Sequence, residues 1–344
     1  MNNLLHFVVS SIIAASPLIA AALGGMYSEK SGIINIGLEG IMTFGAFCAA
    51  IAIVFFEQLI GVGVGSLILG LVIGILGGLL FALIHGILTI TFKVDQIISG
   101  TVINILGLAL ALFLTQIITG GTASTNYRNS FPLRIGNIPI ICILIILLVP
   151  LSYYIINYTK WGLRVKACGE NPKAAKSVGI NVNKVRMQAV LVSGIFGAIA
   201  GFTLVNTVSG NFSSSTVAGK GFIALAILIF GQWRAWGILL AGLLFGALST
   251  LSVSAPRIFT GDNSLPIIIL LIIGILIIIS IYFFKNSLYR LLVSIILYLI
   301  ILFVIFNNKQ IPSVYFDIFP YIITIIALTY YSKNSQAPTA LGES

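Results

Sequence analysis

Residues 161–186 read Trp-Gly-Leu-Arg-Val-Lys-Ala-Cys-Gly-Glu-Asn-Pro-Lys-Ala-Ala-Lys-Ser-Val-Gly-Ile-Asn-Val-Asn-Lys-Val-Arg. This stretch is the one long polar interruption in a chain that is otherwise mostly apolar. From Lys160 to Arg186 there are seven basic residues and one acidic residue, Glu170. Loops rich in lysine and arginine stay on the cytoplasmic side of a membrane. We therefore predict a cytoplasmic loop at residues 158–186, from which the rest of the chain is threaded.

The centre of this loop has the signals of a short helix. Asn171 suits the N-cap, and Pro172 suits the first helical position, where no backbone donor is needed. Gly179 suits the end of the helix, because glycine readily adopts the left-handed conformation that stops it. Ala174 and Ala175 leave one face of the helix without bulk. Such a short, basic helix fits a groove on a cytoplasmic partner; the alternative is an ordinary charged loop that only sets topology.

The composition places the chain in a membrane. Of 344 residues, 59% are hydrophobic and 8% are charged, which leaves too little polar surface to cover a water-soluble body. The net charge of +10 is spread over loops that flank apolar segments, so nucleic-acid binding is not expected. The three cysteines are far apart, and their spacing predicts neither a metal site nor a disulfide framework.

Apolar segments predict an all-α fold, a polytopic transmembrane helical bundle in a single domain, 1–344. A helix that crosses the hydrocarbon needs about twenty apolar residues. We count about ten spans plus a half-helix, the half-helix being the short apolar piece at 220–231. The candidate spans are 4–27, 33–56, 62–90, 96–118, 138–157, 187–209, 237–254, 265–284, 288–306 and 314–331.

The charged loops orient these spans. Counting outward from the cytoplasmic loop places the polar loop 119–137 outside, where it is long enough to meet an extracytoplasmic partner. In the C-terminal half, residues 220–254 could cross once, which would leave most later basic residues outside. If instead 220–231 dips in and 237–254 returns, Arg234 and most of those residues lie inside. The second threading agrees better with the distribution of basic residues, and we adopt it.

The segment Ser28–Gly40 brings charged residues and three glycines close to an apolar span. An ionised carboxylate in hydrocarbon costs about 2.5 kcal/mol or more, so Glu39 should face the bundle interior, a water-filled path or a basic partner such as Lys30. Glycine-broken helices commonly line substrate sites in transporters. The alternative is a plain cytoplasmic turn at 28–32 followed by an intact span. The three interrupting glycines are Gly32, Gly37 and Gly40.

Polar residues within the spans are candidates for a translocation pathway. Gln96 and Asn104 are eight residues apart and therefore share one helix face. Uncharged amides suit a neutral polyhydroxylated solute better than an ion. For each of these residues alone, hydrogen bonding between helices is the alternative role. The candidate pathway residues are Asn35, Glu39, Gln96, Asn104 and Asn206.

Nothing in the sequence predicts an enzyme. His6 and His85 each stand alone, so no catalytic histidine set is available. The closest approach to a phosphate-binding loop is Thr216–Gly221. Such a loop has a glycine five residues before its Gly-Lys pair and a serine or threonine directly after that pair. This chain has Ser214 and Gly221 at those two positions, so the match fails. No cofactor is therefore expected on this chain, and if ATP drives the protein it must bind to another chain.

The stretch Gly169–Ile180 resembles the coupling loop of permease subunits in bacterial ABC importers for simple sugars, nucleosides and branched-chain amino acids. Three further stretches, Ser28–Gly40, Asp95–Asn104 and Ala218–Arg234, are similar to the nucleoside, or simple-sugar-type, permeases in particular. The tail Ser335–Gly342 also resembles the C-terminus of that group. Four separated motifs in the expected order are a specific signal, whereas one alone would not be.

The resemblance covers roughly residues 10–255 and 312–342, and the two apolar spans at 265–309 are extra relative to the group. It implies that one short set of residues couples this chain to an ATPase. By number, the implied coupling residues are Gly169, Glu170, Asn171, Pro172, Ala174, Ala175 and Gly179.

The same resemblance implies a multi-pass permease of the bacterial inner (cytoplasmic) membrane and a set of partners. These are two cytoplasmic ABC ATPase domains that hold ATP and Mg, a second and related permease subunit, and an extracytoplasmic solute-binding lipoprotein. The expected function is ATP-driven uptake of a small polar solute, a nucleoside. Alternatives are a permease for a ribose-like sugar or a branched-chain amino acid and, from another class, an ion-coupled secondary transporter.

Overall fold

The computed structural model describes residues 2–125, 129–130, 133–259 and 337–343. Residues 1–249 and 321–344 belong to one compact unit, and the site described below lies within it. The second unit, Thr250–Pro320, is described only where the last helix runs into it. The predicted spans at 265–284, 288–306 and 314–331 lie outside the described residues.

The described part of the chain is mostly helical, as expected for an all-α bundle. Six helical segments in it are long and apolar enough to cross a membrane, which makes this chain a multi-pass bundle. Two of them, the third and the sixth, are extended by a π-helical turn, at 87–91 and 205–209. The α-helices are α1 (Asn2–Lys30), α2 (Leu38–Ile60), α3 (Val64–Gly86), α4 (Gln96–Thr119), α5 (Ile140–Tyr158), α6 (Lys160–Glu170), α7 (Pro172–Ser177), α8 (Val182–Leu204), α9 (Lys220–Phe230) and α10 (Ala235–Phe259).

Three details differ from the sequence-based expectation. The second span begins at Leu38 and not at residue 33, because residues 31–37 are not helical. The loop predicted at 158–186 is largely helical, since it contains α6 and α7. A small antiparallel hairpin, β1 (Arg134–Ile135) and β2 (Ile138–Pro139), interrupts the otherwise helical fold.

The centre of the bundle is built from α2, α3 and α8, which approach one another through small residues. The Cα of Gly74 faces Ala49, and that of Gly78 faces Ala198, so closely that an added methyl group would lie less than 3.0 Å from the neighbouring atoms. In lipid, helices gain no hydrophobic driving force from meeting, so this close contact is what stabilises them. Helix α1 packs against α8 and α9.

Helix α9 enters the bundle only part of the way. Its N-terminus meets Glu39, and the turn that follows it returns to the end of α1, where the indole nitrogen of Trp233 donates a hydrogen bond to Glu29 (2.6 Å). Eleven residues span about 16 Å, well short of a bilayer. Arg234 and Lys166 both lie near Lys30, so these three cations share one end of the bundle. We call the end of the bundle that carries these three cations the basic end.

Candidate functional site

The predicted short helix is present at the basic end as α7. The side chain of Asn171 accepts a hydrogen bond from the backbone N–H of Ala174 (3.0 Å), and Pro172 occupies the first helical position. Gly179 has a φ of +84° just past the helix, and its N–H donates to the carbonyl of Lys176 (3.0 Å). Both ends of α7 are therefore capped by the residues that the sequence predicts.

The two alanines of α7 do not share an outward face, and that part of the prediction is wrong. Ala175 is 3% exposed and packs against the core, whereas Ala174 is exposed. Neighbouring helical residues point about 100° apart, so one of an adjacent pair turns inward when the other faces out. The outward face is formed by Ala174, Ser177 and Val178, and the Val178 side chain is 76% exposed.

Helix α6 ends directly against the connection between α1 and α2. The backbone of Gly169 lies on the carbonyl of Lys30, so closely that a Cβ at this position would overlap it and would lie 3.3 Å from the Gly32 nitrogen. Glu170 accepts a hydrogen bond from the hydroxyl of Thr339 in the C-terminal tail, through its carbonyl and, at 3.1 Å, through its carboxylate. Two of the predicted coupling residues, Gly169 and Glu170, thus touch the α1–α2 connection and the tail.

Cys168, in the last turn of α6, is fully buried. Burial raises the pKa of the Cys168 thiol, and the nearby charge of Arg186 lowers it by a smaller amount. A protonated, enclosed thiol is not a nucleophile, so this cysteine packs as a small apolar side chain. The three cysteines are all free thiols. Among the residues that the structure describes, no group of three or more potential metal ligands occurs.

The α1–α2 connection, residues 31–37, is not helical, and Gly32 and Gly37 lie in it as predicted. Gly40 was also expected to interrupt the helix, and that part is wrong, because Gly40 lies within α2. Side chains from α3 and α4 bind the backbone of the connection. Gln96 accepts from the N–H of Ile34 (2.7 Å), and His85 lies 3.2 Å from the carbonyl of Ile34. Asn104 accepts from the N–H of Gly40 (2.8 Å) and donates to the carbonyl of Ile36 (2.9 Å). Backbone groups shielded from water need such partners, and α4 supplies most of those named here.

These contacts give two of the candidate pathway residues a structural role. Gln96 and Asn104 share one face of α4, as predicted, but they bind backbone groups of the connection, which is the interhelical role left open above. The Nε2 atom of Gln96 is buried without a hydrogen-bond partner among the described residues. Asn35, in the same connection, donates to the hydroxyl of Ser193 on α8 (2.8 Å). Its Oδ1 atom is also buried and unpartnered among the described residues.

The carboxylate of Glu39 binds a partner that the sequence did not suggest. Its carboxylate accepts hydrogen bonds from the backbone N–H groups of Gly219 and Gly221, each at 2.6 Å, at the N-terminus of α9. The first N–H groups of a helix lack intrahelical acceptors, and the helix dipole favours a negative charge there. The carboxylate faces the bundle interior, as expected, and its hydrogen-bond partners are a helix end rather than Lys30.

Asn206 is separated from the other candidates. It lies in the π-helical turn after α8, thirteen residues beyond Ser193, which corresponds to about 20 Å along the helix axis. The structure therefore brings Asn35, Glu39, Gln96 and Asn104 together around the connection and leaves Asn206 towards the opposite end.

Sequence reasoning missed several residues of this site. Ser193 and Arg186 on α8 both contact the α1–α2 connection, Ser193 through Asn35 and Arg186 through the carbonyl of Ser31 (3.0 Å). A polar residue on an apolar helix was the only available signal, and that signal does not name a partner. The tail resemblance was noted, but its place beside α6 depends on the folded chain.

At the opposite end, a second carboxylate holds the polar loop that follows α4. Glu57 is buried and accepts from the N–H groups of Asn129 (2.9 Å) and Ser130 (2.6 Å). The N–H of Thr125 donates to the carbonyl of Phe212 (3.0 Å), and the N–H of Phe212 donates to the Thr125 hydroxyl (2.9 Å). Two polar segments are thus joined into one surface at this end.

Comparison with known proteins identifies a family and several relatives. A family model described as a branched-chain amino acid transport system permease component matches residues 7–304. The chain is 36% identical to the guanosine ABC transporter permease protein NupQ of Bacillus subtilis (strain 168), over 97% of this chain and 94% of that protein. It is 35% identical to the nucleoside ABC transporter permease protein NupC of Lactococcus lactis subsp. cremoris (strain MG1363), over 99% and 97%.

A further relative is the guanosine ABC transporter permease protein NupP, also of Bacillus subtilis (strain 168). It is 27% identical over 81% of this chain and 82% of that protein. No solved structure matches the chain.

Proposed function

This chain belongs to the family of branched-chain amino acid transport system permease components, and on that premise we propose that it is the permease subunit of an ATP-driven importer that takes up nucleosides. The observation that carries the proposal is the similarity, over nearly the whole chain, to two nucleoside permeases at 36% and 35% identity. A helical, multi-pass bundle with a capped helix at its basic end agrees with this function.

The ATPase would dock on the outward face of α7. Ala174, Ser177 and Val178 offer a small, partly apolar surface, and both ends of the helix are capped, so the surface is held rigidly. Val178, exposed directly after this basic helix, would add an apolar side chain to the surface that the partner covers. ATP and Mg would be held by that partner, and this chain would be a transport subunit rather than an enzyme.

The solute would pass beside the α1–α2 connection. Buried amide atoms with unused hydrogen-bonding capacity, Asn35 Oδ1 and Gln96 Nε2, support contact with a neutral polar solute there. Broken helices and helix N-termini at membrane depth are common at transporter sites. Closure of the ATPases would then move α7 and rock the bundle between outward-open and inward-open states.

Further partners follow from the relatives. NupQ and NupP are two permease proteins with the same stated solute in one organism, and both resemble this chain, which supports a second, related permease subunit here. The joined polar segments at the end opposite the basic one would receive a solute-binding lipoprotein. The compartment would be the bacterial inner membrane, with the basic end in the cytoplasm.

The function is tested by uptake of labelled guanosine in cells that lack their own nucleoside uptake. We expect uptake when this chain is produced together with its ATPase, second permease and lipoprotein. Uptake should be competed by other nucleosides and much less by ribose or leucine. A Walker A lysine substitution in the ATPase should abolish it. Competition by ribose or leucine alone would favour the other solute classes.

The ion-coupled alternative has its own experiment. The purified chain is reconstituted into vesicles without an ATPase, and an ion gradient is imposed across the membrane. We expect no guanosine uptake, because the energy source would be missing. Gradient-driven uptake under these conditions would contradict the ABC importer proposal.

Changing Glu39 to glutamine should lower uptake about fivefold at normal membrane levels. Glutamine keeps one acceptor for the α9 N-terminus but aims an amide donor at the other backbone N–H, and hydrogen bonds to charged groups contribute roughly 1.5–3 kcal/mol. The measurement is initial uptake rate per chain in the membrane. Wild-type kinetics would leave the pathway role of this carboxylate without support.

The same change at Glu57 is the matched control, because that carboxylate also binds two backbone amides. Glu57→Gln should loosen the polar loop at the opposite end and raise, roughly threefold, the lipoprotein concentration needed for half-maximal uptake. The maximal rate should stay near that of the wild type. A lower maximal rate with unchanged lipoprotein dependence would argue against a docking surface at this end.

A further inference from the structure

The C-terminal tail, residues 338–343, is folded onto the basic end of the bundle. The N–H of Ala340 donates to the carbonyl of Gly169 (2.9 Å), at the end of α6. Two residues later, the N–H of Gly342 donates to the carbonyl of Gly32 (3.0 Å), in the α1–α2 connection. Six residues of tail therefore bind both the coupling residues and the broken segment through backbone hydrogen bonds.

Arg186 holds the same two parts together from α8. It is 5% exposed, its Nε donates to the carbonyl of Ser31 (3.0 Å), and its Nη1 donates to the carbonyl of Glu343 (2.8 Å). A buried guanidinium is costly unless acceptors surround it. Here two backbone carbonyls bind Nε and Nη1, whereas Nη2 is buried without a hydrogen-bond partner among the described residues. Gly32, with a φ of +97°, makes room for it: a Cβ there would lie 2.7 Å from Nη2.

Side-chain contacts anchor the tail further. The hydroxyl of Thr339 binds Glu170, directly before α7. Ala340 is buried, and Leu341 packs against the core. The tail thus begins beside the coupling helix and ends on the connection that carries Asn35. Its two backbone contacts, at Ala340 and Gly342, are only two residues apart.

We propose that residues 338–343 form a strut that transmits movement of α7 to the α1–α2 connection, with Arg186 as its positioning residue. The inference rests on the proposed function, because it needs an ATPase that moves α7. The packing of Gly169 on Lys30 is one route for this movement. The tail is a second route, since it binds α6 and the connection at separate points and would pull on the connection when α6 and α7 shift.

The test removes the tail from the assembled importer. Deletion of residues 339–344 should leave the ATPase bound and its basal hydrolysis intact, because the face of α7 is untouched. Guanosine uptake and solute-stimulated ATP hydrolysis should each fall about tenfold, within the range of typical coupling energies. Deletion of Ser344 alone is the matched control: it leaves residues 338–343 in place, and it should behave like the wild type.

If the deletion lowers the amount of this chain in the membrane, point variants test the strut instead. Arg186→Lys keeps the charge but loses the planar fork that reaches two carbonyls, and Thr339→Val loses the hydroxyl alone. Both should retain the ATPase and lose part of the solute stimulation. Wild-type stimulation in both would overturn the strut.

Loss of the ATPase from these variants would also overturn the strut, because the tail would then belong to the docking surface. Failure of the unaltered chain to recruit any ATPase would be a different result. It would overturn the proposed function, and the strut with it.

Discussion

Replacing Ala174 with tryptophan is expected to reduce guanosine uptake at least about thirtyfold while the chain still reaches the membrane. Ala174 is exposed on the outward face of α7, so a bulky side chain there leaves the fold intact and keeps a partner from closing on the helix. A docking loss of about 2 kcal/mol corresponds to this factor. The measurements are uptake rate, membrane level and the amount of ATPase that copurifies with the chain.

Two variants of α7 serve as controls for this result. Ala174→Ser keeps the side chain small and should behave like the wild type. Ala175→Trp should instead lower the membrane level, because Ala175 packs against the core and overpacking destabilises the chain. If Ala174→Trp retains the ATPase and full uptake, the partner does not dock on this face.

Replacing Gly169 with alanine is expected to lower uptake about tenfold or more. In an ordinary helix this change stabilises by roughly 0.5–1 kcal/mol. Here the added methyl group would overlap the carbonyl of Lys30, and backbone atoms on both sides leave little room to adjust. Overpacking of this kind costs about 1–3 kcal/mol, so α6 and the α1–α2 connection must separate.

The readouts are uptake and solute-stimulated ATP hydrolysis in the assembled complex. Gly65→Ala in α3 is the matched control, because a Cβ at that position would meet only the terminal methyl group of Ile60, at 3.2 Å. That control should transport normally. Equal behaviour of the two variants would show that the contact between Gly169 and Lys30 has no part in transport.

The two expected results separate recruitment from transmission. Ala174→Trp should lose the ATPase, whereas Gly169→Ala should keep it and lose the response to solute. This distinction follows from the position of the two residues: Ala174 faces outward from α7, and Gly169 faces the connection.

Local sequence signals predicted local structure well. The cap at Asn171, the proline after it and the glycine at 179 predicted α7, because each of these residues has a conformational preference that needs no distant partner. Gly32 and Gly37 likewise predicted the break before α2, whereas Gly40 lies inside that helix. Seven of the apolar runs predicted as spans fall on described residues. Six of them are helices long and apolar enough to cross a bilayer, and the seventh, 237–254, lies in α10, which is not among those six.

Pairing across the bundle was harder to predict. Glu39 was expected to face the bundle interior, a water-filled path or a basic partner such as Lys30. It faces the interior and binds the amides that begin α9, and the cation beside it is Lys220. The pattern of side chains did not predict these partners, because unpaired backbone donors do not appear in it. Gln96 and Asn104 were placed on the correct face of α4, but the backbone they bind lies more than sixty residues away in the sequence.

The sequence by itself determined a membrane-spanning helical bundle, the loop in which many of its basic residues gather and the short helix within that loop. These follow from transfer free energies and backbone preferences, which act residue by residue. Only the tertiary structure decided which alanine of α7 faces outward, what Glu39 binds, and how Arg186 and the tail join the coupling helix to the broken connection. Such contacts depend on packing between segments far apart in the chain, and no local preference specifies them.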